Sequence, residues 1–321
     1  MRLIISVVVI FALFIAGSWS IPPPVPDFGE NEVEFTETDG DDDSAYILRV
    51  LRGNQYKRLS LKSRYVCQNG AIMSSDSCGG CGRIKVDATY AVSDYALQIG
   101  ATIASKMTRN MMSEVFCRLA SQATIGIFTK SQTLTVYPEY YSYTNPSGCG
   151  SSCAGYCAHS CTLDGRKYYT LAGAGGQRTV ILDDNILCNS NDPYHGTNNI
   201  LVHEFAHTIK NYGLSSAQKS QVNAAYNYAK QYRLWADYYP MSTVEEYWAV
   251  GSSVYFATDH QMYRGTGNHL DLCNGNNFCT TEAAARYHIY SVDPNLYNIL
   301  TTVYVSSDST RYVNIGVCAT P

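Results

Sequence analysis

His203, Glu204 and His207 are the residues of this 321-residue chain whose types and spacing point most directly to chemistry. They spell His-Glu-x-x-His. On a helix, positions i and i+4 share a face, with Cβ atoms about 5–6 Å apart. Two imidazoles so placed close on one metal ion, and Glu204, on the rim of that face, reaches a metal-bound water. Zinc lowers the pKa of such a water to about 7 and polarises a carbonyl. A carboxylate then takes the proton and hands it to a leaving amine. The pattern therefore predicts hydrolysis of peptide bonds, with Glu204 as general base. Its flanks Ile200, Leu201, Val202, Phe205 and Ala206 are apolar, which predicts a buried helix. A buried His/Glu group without a role is costly.

A catalytic zinc keeps three protein ligands and one open position. The longer pattern His-Glu-x-x-His-x-x-Gly-x-x-His does not supply the third, because Lys210 stands at its glycine and Gly213 at its last histidine. The remaining candidates are Asp237, Glu245 and Glu246, the last two on a helix expected over residues 243–256.

His203-Glu-Phe-Ala-His207, followed by Glu246-Tyr-Trp-Ala249, resembles the gluzincin clan of zinc peptidases, and within it the lethal-factor-type catalytic domain and its secreted relatives. Stretches at 136–140, 192–196, 199–203 and 293–297 extend the similarity over about residues 85–305. The resemblance implies that Glu246 is the third zinc ligand. It also implies that the tyrosine seven residues earlier, Tyr239, stabilises the tetrahedral intermediate. One departure stands out. The family places a second carboxylate four residues after the ligand glutamate, to orient a zinc-bound histidine, and this chain has Val250 there. Loss of such a partner typically costs about 10–100-fold in affinity or activity. Asp183 or Asp184 is the expected replacement.

The elements that must hold these residues follow from periodicity and punctuation. Residues 86–119 contain no proline and carry apolar side chains at helical spacing, which predicts one or two helices. Residues 123–137 alternate and predict a pair of strands. Residues 168–187 read as strand, and 179–182 are expected as an edge strand that pairs with an extended substrate. Helices are expected at 198–210, 215–232, 243–256 and 297–304. The fold class is α+β, a zincin-like small twisted sheet with the active-site helix and a mainly helical C-terminal part, stapled by disulfides. The 27 tyrosines read mostly as packing and surface residues.

Compartment is written into the N-terminus and the cysteines. Arg2 and the apolar run at 3–16, followed by small residues, form a secretory signal peptide over 1–20, so no membrane anchor is expected in the mature chain. Residues 21–52 are expected to be acidic and disordered, with an Arg-x-x-Arg spacing at Arg49 and Arg52 that fits propeptide removal. The catalytic domain is then 53–321. All twelve cysteines lie beyond residue 66, and an even number in an exported chain predicts up to six disulfides. Cys273 and Cys279 are expected to pair locally. Cys149, Cys153, Cys157 and Cys161 recur every four residues, and disulfides are favoured there over a structural zinc. Beyond Arg52 the chain carries 20 basic and 18 acidic residues, with no basic stripe to predict a nucleic-acid partner. The expected partner is a peptide or protein substrate of a secreted enzyme. The rival expectation is an inactive, protease-derived extracellular binding protein, which Val250 favours and the retained Glu204 opposes.

Overall fold

The computed structural model describes residues 33–37, 45–50, 56–162, 165–236, 238–260, 268–274 and 277–320, with side chains from residue 60 onward. The expected leader, Arg52 and Asp237 lie outside these residues. Within the acidic stretch, β1 (Val33–Glu37) and β2 (Ala45–Val50) pair antiparallel, and β2 pairs in turn with β3 (Tyr56–Cys67). The two-residue β4 (Ile72–Met73) folds back on the end of β3, which runs antiparallel to β5 (Arg83–Thr89).

The centre of the sheet is parallel: β5, β6 (Thr124–Phe128) and β8 (Arg178–Leu182) lie side by side. Strands covered on both faces read as continuous apolar runs rather than alternating ones. Ile84, Val86, Ala88, Ile125, Ile127, Val180 and Ile181 are all fully buried. This is why the helix expected over 86–119 also took in the end of β5: a doubly buried strand carries no period of two. The strand pair expected at 123–137 is a single strand, β6, followed by 3₁₀ turns at Leu134–Val136 and Pro138–Tyr143. The strand expected as the edge is interior. β8 lies between β6 and the short β7 (Gly173–Ala174), and β7 is the edge.

Helices cover one face of this sheet. α1 (Asp94–Thr108) starts where Ser93 Oγ accepts the Ala96 N–H at 3.1 Å, and it is buried along most of its length. α2 (Ser113–Ala120) follows. A single helical turn, α3 (Asp183–Ile186), leaves β8. α4 (Ile200–Thr208) widens into a π turn at Ile209–Gly213. α5 (Ser216–Tyr232) opens with a capping box between Ser215 and Gln218. Then come α6 (Val244–Tyr255), the hairpin of β9 (Leu272–Asn274) and β10 (Asn277–Phe278), α7 (Glu282–Val292) and α8 (Pro294–Val305). α7 goes unannounced by apolar periodicity because polar groups fix its buried side. Glu282 and Arg286 pair at 2.7 Å in the interior, and Glu282 also accepts the Val313 and Asn314 N–H groups.

The largest apolar cluster joins one sheet face to α1, α4, α6 and α8. A smaller one, around Leu61, Phe128, Tyr137, Tyr140 and Leu182, fills the other face beneath the 3₁₀ turns. All twelve cysteines are paired: Cys67–Cys78, Cys81–Cys117, Cys149–Cys157, Cys153–Cys161, Cys188–Cys318 and the expected Cys273–Cys279. The four cysteines at 149–161 form disulfides, as favoured. Among the described residues no helix is long and apolar enough to cross a membrane.

Candidate active site

α4 begins where Asn199, as N-cap, accepts the Val202 N–H through its side chain. Four residues later His203 is buried, and one turn further on stands His207. Their rings meet edge to face at 4.9 Å between centroids, with the two Nε2 atoms 3.2 Å apart. Ligand atoms of His203, Glu204 and His207 all lie within 4.8 Å of one another, so the group can hold a metal ion.

Glu246 arrives from α6. That helix is seated on α4 by Trp248, fully buried, whose Nε1 donates to the Ala206 carbonyl at 2.9 Å. Thr243 caps α6 by accepting the Glu246 N–H at 3.1 Å, which sets Glu246 in the first turn. Its carboxylate oxygens lie 3.2 Å from His203 Nε2 and 3.7 Å from His207 Nε2. Glu245, one residue earlier, is turned away and holds Lys210 Nζ at 2.7 Å. Glu246 Oε2 is buried and makes no well-aligned hydrogen bond. Two imidazole nitrogens and a carboxylate oxygen are a donor set that a divalent metal such as zinc fits. Gly213, where a longer motif would place a third histidine, is taken up by packing. A Cβ there would stand 3.0 Å from side-chain carbons of both Val115 and Leu119.

Tyr239 joins the group from the segment before α6. Its phenol hydrogen-bonds the Glu246 carboxylate, and its ring lies 6.4 Å from that of His203. Burial, then the charge of Glu246, holds this phenol well above the usual tyrosine range. Burial disfavours charge on His203 too, but the hydrogen bond to Glu246 and the charges of Glu204, Glu246 and Asp259 outweigh it and raise its pKa to about 9. On His207, burial and the neighbouring His203 act together and push the pKa down to about 3. Burial raises the Glu204 carboxyl, against a hydrogen bond from the Gly175 N–H.

Val250 is fully buried in the apolar core. Asp184 Oδ1 accepts from Asn189 Nδ2 at 2.6 Å. Asp183 is raised to about 6 by burial and by Asp184 beside it. The further carboxylate whose charge acts on His203 is Asp259, 1% exposed, just beyond the end of α6. Asp259 is bridged to Asn198 at the start of α4.

The opposite wall was not legible as functional. β7 and the two glycines after it run against α4 so closely that side chains are excluded. A Cβ on Gly173 would stand 2.9 Å from Glu204 Cγ, and one on Gly175 would stand 2.5 Å from His207 Cβ and 2.7 Å from the Glu204 carbonyl oxygen. The signal available in sequence was the run Ala172-Gly-Ala-Gly-Gly176 directly before a strand. Between the walls lies a cleft of about 760 Å³. Tyr140, Tyr143, Tyr168, Tyr194, Tyr212 and Tyr239 line it. Asn198 also lines it, with a buried side-chain oxygen that has no hydrogen-bond partner.

No protein-family model matches the chain, and a search of curated proteins gave no match. Among solved structures the chain is similar to the Pro-Pro endopeptidase PPEP-2 from Paenibacillus alvei. The identity is 14% and the TM-score 0.40, over 68% of this chain and 96% of that one.

Proposed function

We propose that the chain is an exported, zinc-dependent endopeptidase of gluzincin type. The observation that carries this reading is the convergence of His203, His207 and Glu246, from two helices, on one point flanked by Glu204 and Tyr239. His203, His207 and Glu246 would hold the zinc, which when bound would supply Lewis-acid polarisation of the scissile carbonyl and lower the pKa of water. Glu204, steadied by the Gly175 N–H, takes the proton from the attacking water and returns it to the leaving amine. Tyr239 turns its phenol from Glu246 to the carbonyl oxygen as negative charge gathers there. An extended peptide lies along the edge strand β7, adding to the sheet by main-chain hydrogen bonds. Substrate pairing thus belongs to β7 rather than to 179–182. Export is supported by the leader-like residues 1–20 and by the pairing of every cysteine.

The test is zinc content and cleavage of a peptide library by the purified protein beside a Glu204→Gln variant. One zinc in both, with cleavage only in the parent, is the expected result. Burial of Val250 where a carboxylate would steady His203 favours a second reading, a protease-derived binding protein. One zinc with no cleavage in either protein selects that reading, and no zinc in either removes both.

A further inference from the structure

Asp293 lies between α7 and α8 and is fully buried. One of its carboxylate oxygens, Oδ1, accepts the Leu296 N–H at 3.1 Å and so caps α8. A helix cap needs no more than that. The other oxygen has separate partners. Oδ2 accepts from Trp235 Nε1 at 3.1 Å and from the Tyr247 hydroxyl at 2.6 Å. Both donors are buried, Trp235 at 4% exposure and Tyr247 at 0%. Burial, then the charge of Asp293, holds the Tyr247 phenol well above the usual tyrosine range, so it stays a donor. Hydrogen bonds to an ionised acceptor are shorter and stronger than neutral ones. A single buried oxygen can therefore fix two segments at once.

Those two segments carry the candidate site. Trp235 stands four residues before Tyr239, and Tyr247 directly follows Glu246. Near Trp235 the Ala236 N–H donates to the Asn268 carbonyl at 2.8 Å, and the indole meets the His288 ring edge to face at 5.5 Å. Beyond Tyr239, the Ser242 N–H and Oγ both donate to the Tyr239 carbonyl, at 3.1 and 2.7 Å. The Tyr226 hydroxyl donates to the Met241 carbonyl at 3.0 Å. The backbone of Tyr239 is thus held from both sides while the residue lines the cleft. The two arms meet again where the Tyr239 phenol hydrogen-bonds Glu246. A slip in either arm shifts the oxyanion donor against the metal ligand, and a misplacement near 1 Å costs about 10²-fold in rate.

We propose that Asp293 is a positioning residue of the hydrolytic site, holding Tyr239 through Trp235 and Glu246 through Tyr247. This rests on the peptidase reading. Trp235→Phe and Tyr247→Phe each keep an aromatic ring and remove one donor. Zinc-loaded enzymes are compared by steady-state peptide cleavage and by chelator competition for zinc. Trp235→Phe should lower kcat about tenfold, with KM and zinc affinity unchanged. In a Tyr239→Phe background the same change should cost nothing, since the group it places is gone. Tyr247→Phe should weaken zinc binding about tenfold. Asp293→Asn should show both losses, because an amide has one accepting oxygen where the carboxylate has two. Should Asp293→Asn not fold, the two single-arm variants carry the test. Parental kcat in Trp235→Phe, an equal loss in both backgrounds, or parental zinc affinity in Tyr247→Phe overturns the inference and leaves the peptidase standing. Absence of both zinc and cleavage in the parent enzyme removes the peptidase reading, and this inference falls with it.

Discussion

The cleft has two walls built by different means. The metal-side wall is α4 and α6, regular helices whose apolar faces fuse with the main core, so Glu246 is placed by the packing of Trp248, Tyr247 and Val250. The facing wall is β7, a glycine run, 3₁₀ turns and an insert held by two disulfides of eight-residue spacing. One wall owes its shape to burial and the other to close backbone approach and covalent crosslinks. The first brings His203, His207 and Glu246 together. The second presents Tyr140, Tyr143 and Tyr168 to the cleft. For the proposed peptidase this is a division of labour, with chemistry assigned to the buried helices and recognition to the stapled loops.

The sharpest way to test that division is to remove one group from each wall in turn. Glu204→Gln should lower kcat by about 10²–10⁴-fold with zinc content unchanged, measured by steady-state cleavage and metal analysis. Tyr239→Phe should cost about 10²–10³-fold in kcat, with little change in KM, as loss of a donor to the developing oxyanion does. Gly175→Ala attacks the facing wall where it touches the chemistry. The new Cβ meets His207 and the Glu204 carbonyl, so the two walls must part, and about 10²-fold in kcat/KM is the expected loss for a displacement near 1 Å. A Gly175→Ala enzyme with parental kinetics would show that the glycine run is not a functional wall. Replacing Cys153 and Cys161 together with alanine should have the smallest effect on turnover. It should leave zinc binding intact and raise KM several-fold, while urea unfolding falls by about 2–3 kcal/mol if the short loop is as constraining as its length predicts. Loss of zinc in that double variant would break the division outright.

The same division decides what could be read from sequence. His203, Glu204 and His207 announce themselves because one helical turn and an apolar flank suffice to define them. Glu246 stands 39 residues after His207, and only resemblance singled it out from Glu245. The structure separates the two by the Thr243 cap, which the Thr-x-x-Glu spacing announces, and by Lys210, whose pairing with Glu245 has no sequence signature. Tyr239 was likewise fixed by an offset rather than by pattern. The parallel strand β5 was partly read as helix because burial on both faces erases alternation. The edge was assigned to 179–182 because the true edge, β7, is two residues long and contains no apolar run. The cleft tyrosines were lost among 27 of their kind, since exposure at a cleft and exposure elsewhere leave the same mark in composition.

Cys188 and Cys318 are bonded across a sequence separation of 130 residues, and α4, α5, α6, α7 and α8 all lie between them. His203, His207, Glu246 and Tyr239 thus sit inside a covalent ring. A single backbone cut anywhere within the ring would open it without releasing a fragment. Such a molecule would run as one chain until a reductant was added. The bond makes this half of the chain tolerant of a first nick, because both cut ends stay tethered through Cys188 and Cys318.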